Sequence, residues 1–332
     1  MSERGNRVSV KEQVVELLER NRNQYLSGNE IARRIGVSRT AVWKAIQNLL
    51  KEGYQIDAVP NRGYCMLPST DVLSESGVRK YIGAGTMDFR FEIQDVVSST
   101  NDVLKKRAEE GAEEGLVAAA VRQTAGKGRM GRSFYSPENT GLYFSLLLRP
   151  DFPPEYATYI TTAAAVAVCR AIEEVSEQKP RIKWVNDVYI GEKKVCGILT
   201  EAFFGAETGT LDYIILGIGV NVYAPEACIQ EGLREIMGAV FETTVGDARN
   251  HLLAAVLNHF LPLYEKPDKK ELVAEYKERC FVLGQEILVL RKEEKIPAVA
   301  LDLDQRCRLK VRYEDGREEF LNAGEISVRM KK

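Results

Sequence analysis

The feature that most constrains this chain is a glycine-rich basic loop set between two apolar runs. Gln123-Thr-Ala-Gly-Lys-Gly-Arg-Met-Gly-Arg132 holds three glycines and the cations Lys127, Arg129 and Arg132, with no acid through Ser136. Such chemistry suits a phosphate or a carboxylate, and glycine lets the backbone approach it closely. Gly126, Gly128 and Gly131 spell G-x-G-x-x-G, but a dinucleotide fingerprint needs a helix opening at its last glycine. Here Gly131 leads into turn chemistry, Ser-Phe-Tyr-Ser-Pro-Glu-Asn-Thr-Gly, and then into a second apolar run at 142–148. The run at 116–121 precedes the loop. Strand, basic loop and strand read as a flap over an anion; a solvated basic hairpin is the plainer alternative.

A chain of 332 residues is expected to hold two or three domains. It contains 45% hydrophobic and 28% charged residues, which are globular values. No run of about 18 apolar residues suggests a membrane span, and the first seven residues lack the apolar core of a signal peptide. A cytoplasmic protein with no membrane partner is expected. The six cysteines (65, 169, 196, 228, 280 and 307) form no C-x-x-C pair, which favours reduced thiols over a zinc site. His251 and His259, the two histidines, fall in one predicted helix, so a histidine triad or metal centre is not expected. Residues 1–67 carry 11 Lys+Arg against 7 Asp+Glu, and the remainder 35 against 41. A small basic unit on an acidic body points to a nucleic-acid-binding module.

That unit reads as helices at 8–20, 28–35 and 38–50. Gly36 makes the turn between the last two, and Ser38 caps the third. Short helix, turn and capped helix is the helix-turn-helix layout. Val42, Ala45, Ile46 and Leu49 form the stripe expected to be buried, with Trp43 packing at its edge. Ser38, Arg39, Thr40, Lys44 and Gln47 are the candidate DNA contacts, joined by Arg62 at the tip of a predicted hairpin over 54–67. A helix-turn-helix followed by a hairpin resembles the winged-helix family. A three-helix protein-interaction domain is the alternative.

In the body, Pro68-Ser-Thr-Asp71 is a linker that caps a helix over 72–81, and a strand follows near 89–94. Ser98 or Ser99 caps the next helix; Ser99, Thr100 and Asn101 serve either as that cap alone or as a polar ligand-binding terminus. Asp151-Phe-Pro-Pro154 ends the strand after the flap, and 156–175 is an alanine-rich core helix. Residues 181–190 and 193–201 read as two strands joined by a tight turn. Asp187 in an apolar strand is costly unless it is paired or bound to a metal. Asn221 closes the apolar run at 211–220, either as a binding position or as a strand-end turn. Helices are expected at 245–264 and 269–280, then short strands from 286 onwards.

Five motifs in order, Ser99-Thr-Asn101, GKGRMGR at 126–132, KWVND at 183–187, KKVCGIL at 193–199 and GIGVN at 217–221, resemble the biotin–protein ligases. The N-terminal winged helix makes the chain similar to their bifunctional branch, which also represses transcription. The resemblance implies an α+β multidomain fold. It has a winged helix-turn-helix at 1–67, a class II synthetase-like α/β mixed-sheet ligase domain at 68–280, and an SH3-like β-barrel at 281–332. It implies that biotin is activated with ATP and Mg²⁺ to biotinyl-5′-AMP and passed to a lysine of a biotin carboxyl carrier protein. It also implies a homodimer, formed when the adenylate is bound, that binds operator DNA. By the same resemblance Ser99, Thr100, Asn101, Gln123, Lys127, Gly128, Arg129, Lys194 and Gly197 bind biotin. Arg132, Phe134, Lys183, Asn186 and Asn221 serve the nucleotide, Lys194, Arg129 and Asp187 are catalytic, and Asp187 serves Mg²⁺ indirectly. Three positions depart from the family pattern. Lys127 replaces the first arginine of G-R-G-R, Val185 the proline of K-W-P-N-D, and Phe134 a common tryptophan. A DNA-binding biotin sensor without ligase activity and a lipoate ligase are the rival readings.

Overall fold

Three serines decide where the first three helices start. Ser9, Ser27 and Ser38 take extended backbone angles, and their hydroxyls accept hydrogen bonds from the backbone N–H groups of Glu12, Glu30 and Ala41. Each such cap stabilises its helix by about 1 kcal/mol. The computed structural model describes residues 9–85, 87–150, 157–205, 210–224, 231–265, 269–291, 294–322 and 327–330. The expected end at Asp151–Pro154 and the thiol of Cys228 lie outside these residues.

The helices are α1 (Val10–Arg20), α2 (Gly28–Ile35) and α3 (Arg39–Lys51), with Gly36 in the left-handed region (φ 70°) turning α2 into α3. Val14, Leu18, Ile31, Val42, Ile46 and Leu49 are fully buried, each contributing about 1.5–3 kcal/mol. Trp43 does not pack at the stripe edge as expected: it is 52% exposed. It lies on the turn of α3 that carries Lys44, away from the stripe. A hairpin follows, β1 (Ile56–Val59) paired antiparallel with β2 (Gly63–Met66). Gly63, at φ 110°, runs so close to Leu26 that a Cβ there would meet its carbonyl oxygen at 2.1 Å.

This first compact unit comprises residues 1–82 and 244–254, and so extends beyond residue 67. Its fourth helix, α4, spans only Glu75–Arg79 and is capped by Ser74. The expected start at 72 is lost because Asp71 is committed elsewhere. Its carboxylate is buried on Arg249, which donates from Nε at 2.9 Å. A second, partly buried cluster joins Glu19, Arg22, Lys80 and Asp247.

The second unit, residues 83–243 and 255–332, holds the larger sheet. In chain order come β3 (Arg90–Val97), α5 (Thr100–Glu109), β4 (Leu116–Gln123), β5 (Gly141–Leu148), α6 (Ala157–Val175), β6 (Arg181–Lys183), β7 (Asp187–Ile190), β8 (Lys193–Phe204) and β9 (Leu211–Asn221). The strand order is β3-β4-β5-β9-β8-β7-β6. Only β3 and β4 run parallel; the other neighbours are antiparallel, so the sheet is mixed. Residues 181–190 are not one strand: a turn at Trp184–Asn186 folds β6 against β7. Trp184 and Val185 are buried there, with Trp184 Nε1 donating to the Cys307 carbonyl and Tyr276 donating to that of Val185. Packing contacts from distant residues outweigh the apolar run. On α6, Ile160 through Ile172 bury a run of small and branched side chains.

The helices α7 (Glu231–Ile236), α8 (Ala248–Glu265) and α9 (Lys269–Arg279) follow. The chain ends in β10 (Glu286–Arg291), β11 (Glu294–Leu303), β12 (Leu309–Tyr313), β13 (Glu318–Leu321) and β14 (Ser327–Met330), an antiparallel sheet ordered β13-β12-β11-β10-β14. Among the described residues no helix is long and apolar enough to cross a membrane.

Candidate functional site

The basic loop folds back on itself. Gly128 N–H donates to Arg132 O (2.7 Å), Phe134 N–H donates to Gly126 O (2.8 Å), and Met130 and Gly131 turn the tip with φ of 56° and 72°. The loop closes one wall of a cleft whose floor is the face shared by β8 and β9.

The cations of the cleft come from two elements, the β7–β8 hairpin and the basic loop. The β7–β8 hairpin brings Lys194 Nζ to 2.7 Å from Asp187 Oδ1, which resolves the cost of a carboxylate in that strand. Arg129 donates to Asn186 Oδ1 at 3.1 Å, while Asn186 donates to Ile198 O at 2.7 Å. Burial holds the Arg129 guanidinium below the usual arginine value. Lys127 pairs with Asp102 on α5. Arg132 reaches the lining with no ion-pair partner among the described residues.

The opposite end is polar and neutral. Ser99 occupies the N-cap position of α5, yet its side chain makes no cap bond, although the residue is only 2% exposed. Its hydroxyl is not spent on the helix, and the residue lines the cleft. Thr100 and Asn101 are 4% exposed, and Gln123 Oε1 accepts from Thr100 N–H at 2.9 Å. The floor is open because β9 carries Gly217 and Gly219. A Cβ on Gly217 would lie 2.2 Å from Asn101 Oδ1, and one on Gly219 would lie 2.5 Å from the Phe134 ring. Gly197 makes the same room on β8, 3.0 Å from that ring. The Phe134 ring thus lies over two strands, with Lys194 Nζ 6.0 Å from its centroid.

Of the sequence-predicted ligand residues, Ser99, Thr100, Asn101, Gln123, Lys127, Gly128, Arg129, Arg132, Phe134, Asn186, Asp187, Lys194 and Gly197 converge on this cleft. Lys183 and Asn221 are not among its lining. Lys183 stands 6.0 Å from the Tyr189 ring, and Asn221 is buried, donating to the Lys194 carbonyl at 3.2 Å. His251 stacks on Tyr81 and His259 lies 2.8 Å from Glu174; neither is among the residues that line the cleft. Sequence reading missed Ser136, Ser145 and Glu201, which hold the polar end from behind. Ser145 on β5 and Glu201 on β8 could have been flagged only once the strand order was known, and Ser136 only once the loop was seen to fold back.

On the first unit, Arg39, Thr40, Lys44 and Ser38 are exposed on α3 and Gln47 is half-buried. Arg62 stacks over Tyr25 at 4.0 Å, and Tyr25 donates to Asp57. The hairpin's cation is thereby held in place. Arg39, Lys44 and Lys51 form no ion pair among the described residues, whereas Glu16, Glu30 and Glu52 are taken by Arg20, Arg34 and Lys11. The polar face of α3 is left cationic.

Comparison with known proteins identifies the family. Residues 93–221 match the Biotin/lipoate A/B protein ligase family, residues 10–65 an HTH domain, and residues 282–329 the Biotin protein ligase C terminal domain. The chain is 38% identical over 262 residues to the bifunctional ligase/repressor BirA of Bacillus subtilis strain 168, covering 78% of each. It is 25% identical to BirA of Escherichia coli K12, covering 92% of this chain and 94% of that one. Among solved structures, the biotin protein ligase from Aquifex aeolicus in complex with biotin and ATP matches at a TM-score of 0.61 and 31% identity. That match covers 73% of this chain and 99% of the other. With an intact cleft, a cationic recognition helix and a C-terminal sheet in that order, the chain belongs to the family of bifunctional biotin ligase/repressors.

Proposed function

We propose that the cleft activates biotin with ATP and passes it to a lysine of a biotin carboxyl carrier protein, while α3 and the β1–β2 hairpin bind operator DNA in response to biotin. The observation that carries this reading is the convergence of Lys194, Arg129 and Lys127 with Ser99, Thr100, Asn101 and Gln123 in one cleft. The biotin carboxylate attacks the α-phosphorus, the bond to pyrophosphate breaks, and biotinyl-5′-AMP forms. Two anions must meet for this, and Lys194 and Arg129 neutralise them and align the reactants. In the second step the lysine amine attacks the acyl carbon, AMP leaves, and Asp187 accepts the amine's proton or orients it. Ser99, Thr100, Asn101 and Gln123 take the ureido ring. Gly128 and Gly197 allow close approach, Phe134 stacks on adenine, and Arg132, Asn186, Lys183 and Asn221 serve the nucleotide side, the last through the Lys194 backbone.

Asp187 is the one carboxylate in the cleft lining, and no group of three or more His, Cys, Asp or Glu suited to a metal occurs among the described residues. That donor set fits Mg²⁺ held chiefly by nucleotide phosphates with one protein carboxylate. When bound, the ion supplies charge neutralisation at the departing pyrophosphate. The proposal extends to domains at 1–67, 68–280 and 281–332. It includes a class II synthetase-like core, an SH3-like barrel for the C-terminal sheet, a homodimer formed with the adenylate, and cytoplasmic residence. Incorporation of labelled biotin into a carrier domain tests the activity. Wild type should incorporate label with ATP and Mg²⁺ and Lys194→Ala should not; no incorporation by wild type would leave a DNA-binding biotin sensor.

A further inference from the structure

Behind the polar end of the cleft runs a chain of hydrogen bonds whose direction is forced. Glu201, on β8, faces the amide of Asn101 with Oε2 2.5 Å from Nδ2. A carboxylate only accepts, so Asn101 must turn its Nδ2 to Glu201 and its Oδ1 to Ser145 Oγ, 2.6 Å away. That carbonyl oxygen only accepts as well, so it claims the single Ser145 proton. Ser145 Oγ is also 2.7 Å from Thr100 Oγ1, and one proton cannot serve both contacts. Thr100 must therefore donate to Ser145, and its longer 3.2 Å contact to Gln123 Oε1 gives way. Gln123 Oε1 keeps the Thr100 N–H, and its Nε2 donates to Ser136. Ser145 is 0% exposed and Thr100 and Asn101 are 4% exposed, so solvent cannot reset this order. The Thr100 and Ser145 protons both point away from the cleft, along the chain that ends at Glu201, and Thr100 meets a ligand with lone pairs only.

We propose that Glu201 is a positioning residue that sets ligand specificity through Asn101, Ser145 and Thr100, fixing acceptors at the closed end of the cleft so that it selects a ring carrying N–H donors. A ureido ring satisfies those acceptors. A sulfur ring such as that of lipoate, the other substrate class named for the matched family, leaves them unpaired and buried, which is the stronger form of discrimination. Neither Glu201 nor Ser145 lines the cleft, so neither contacts the ligand itself. The inference rests on reading the cleft as the biotin site.

The test uses the full chain. Biotin and lipoate are titrated calorimetrically into wild type, Glu201→Gln, Ser145→Ala and the double variant, and the KM for ATP is read from pyrophosphate release. Glu201→Gln keeps the shape but can donate, which frees the Asn101 amide to invert. Biotin Kd is expected to rise about tenfold or more in each single variant, the cost of an unpaired buried group. The double variant should lose no more than either single one, since one chain is broken. The KM for ATP should stay within about twofold, and the preference for biotin over lipoate should narrow. Biotin binding unchanged in both single variants would overturn the proposal, as would parallel losses of biotin and ATP. If Glu201→Gln does not fold, Ser145→Ala decides by the same readings. Wild type that binds no biotin would instead overturn the reading of the cleft.

Discussion

The cleft and the recognition helix both gather cations for an anion, but they hold them in opposite ways. In the cleft Lys194 is on Asp187, Lys127 on Asp102 and Arg129 on Asn186. On α3, Arg39, Lys44 and Lys51 are unpaired among the described residues, while the nearby acids are engaged with other cations. Burial explains the difference for Lys194 and Arg129, which are partly buried; Lys127 and Arg132 are exposed, the first paired with Asp102 and the second without an ion pair among the described residues. A partly desolvated charge is costly without a partner, whereas an exposed one is kept by water. Ligand binding in the cleft is then an exchange of partners, and DNA binding on α3 is release of counterions.

The largest test of this contrast is Lys194→Ala, which should slow adenylate formation by about 10²- to 10³-fold, on the scale of removing one donor to a developing charge. Single-turnover pyrophosphate release measures it; an effect confined to the KM for carrier protein would place Lys194 in docking rather than chemistry. Next is Gly219→Ala. The new Cβ would displace the Phe134 ring and cost about 1–3 kcal/mol as overpacking, read by thermal unfolding and by the KM for ATP. Arg39→Ala should weaken operator binding by about 1–3 kcal/mol and lower the salt slope by about one. The KM for biotin should vary with salt far less than the operator affinity does; equal salt slopes would erase the contrast. The smallest expected effect is Ser38→Ala, about 1 kcal/mol of stability from the lost cap on α3, measured by urea unfolding.

Much of this was legible in the residues. The Ser38 cap, the buried stripe of α3 and the strand–loop–strand around residues 123–136 follow from local chemistry and spacing, and all three are as expected. The resemblance motifs named most of the cleft. What was not legible depended on partners far along the chain. The short α4 followed from Asp71 meeting Arg249, and the turn at Trp184–Asn186 from Cys307 and Tyr276. That Asn221 meets the Lys194 carbonyl and that Lys183 stands beside the Tyr189 ring was not legible either. Ser145 and Glu201 belong to no local pattern, because their role exists only once β5 and β8 are brought behind α5.

By itself, the sequence determined where α2 and α3 begin, which faces are apolar, which loop is basic and which family the chain resembles, since each depends on residues a few positions apart. The tertiary structure alone decided which charges are paired, which hydroxyls face the cleft, that Trp43 stays in solvent, and the direction of the hydrogen bonds behind Thr100. Those depend on burial and on groups tens to hundreds of residues apart, where the energy of a polar group is set by whichever partner folding brings to it.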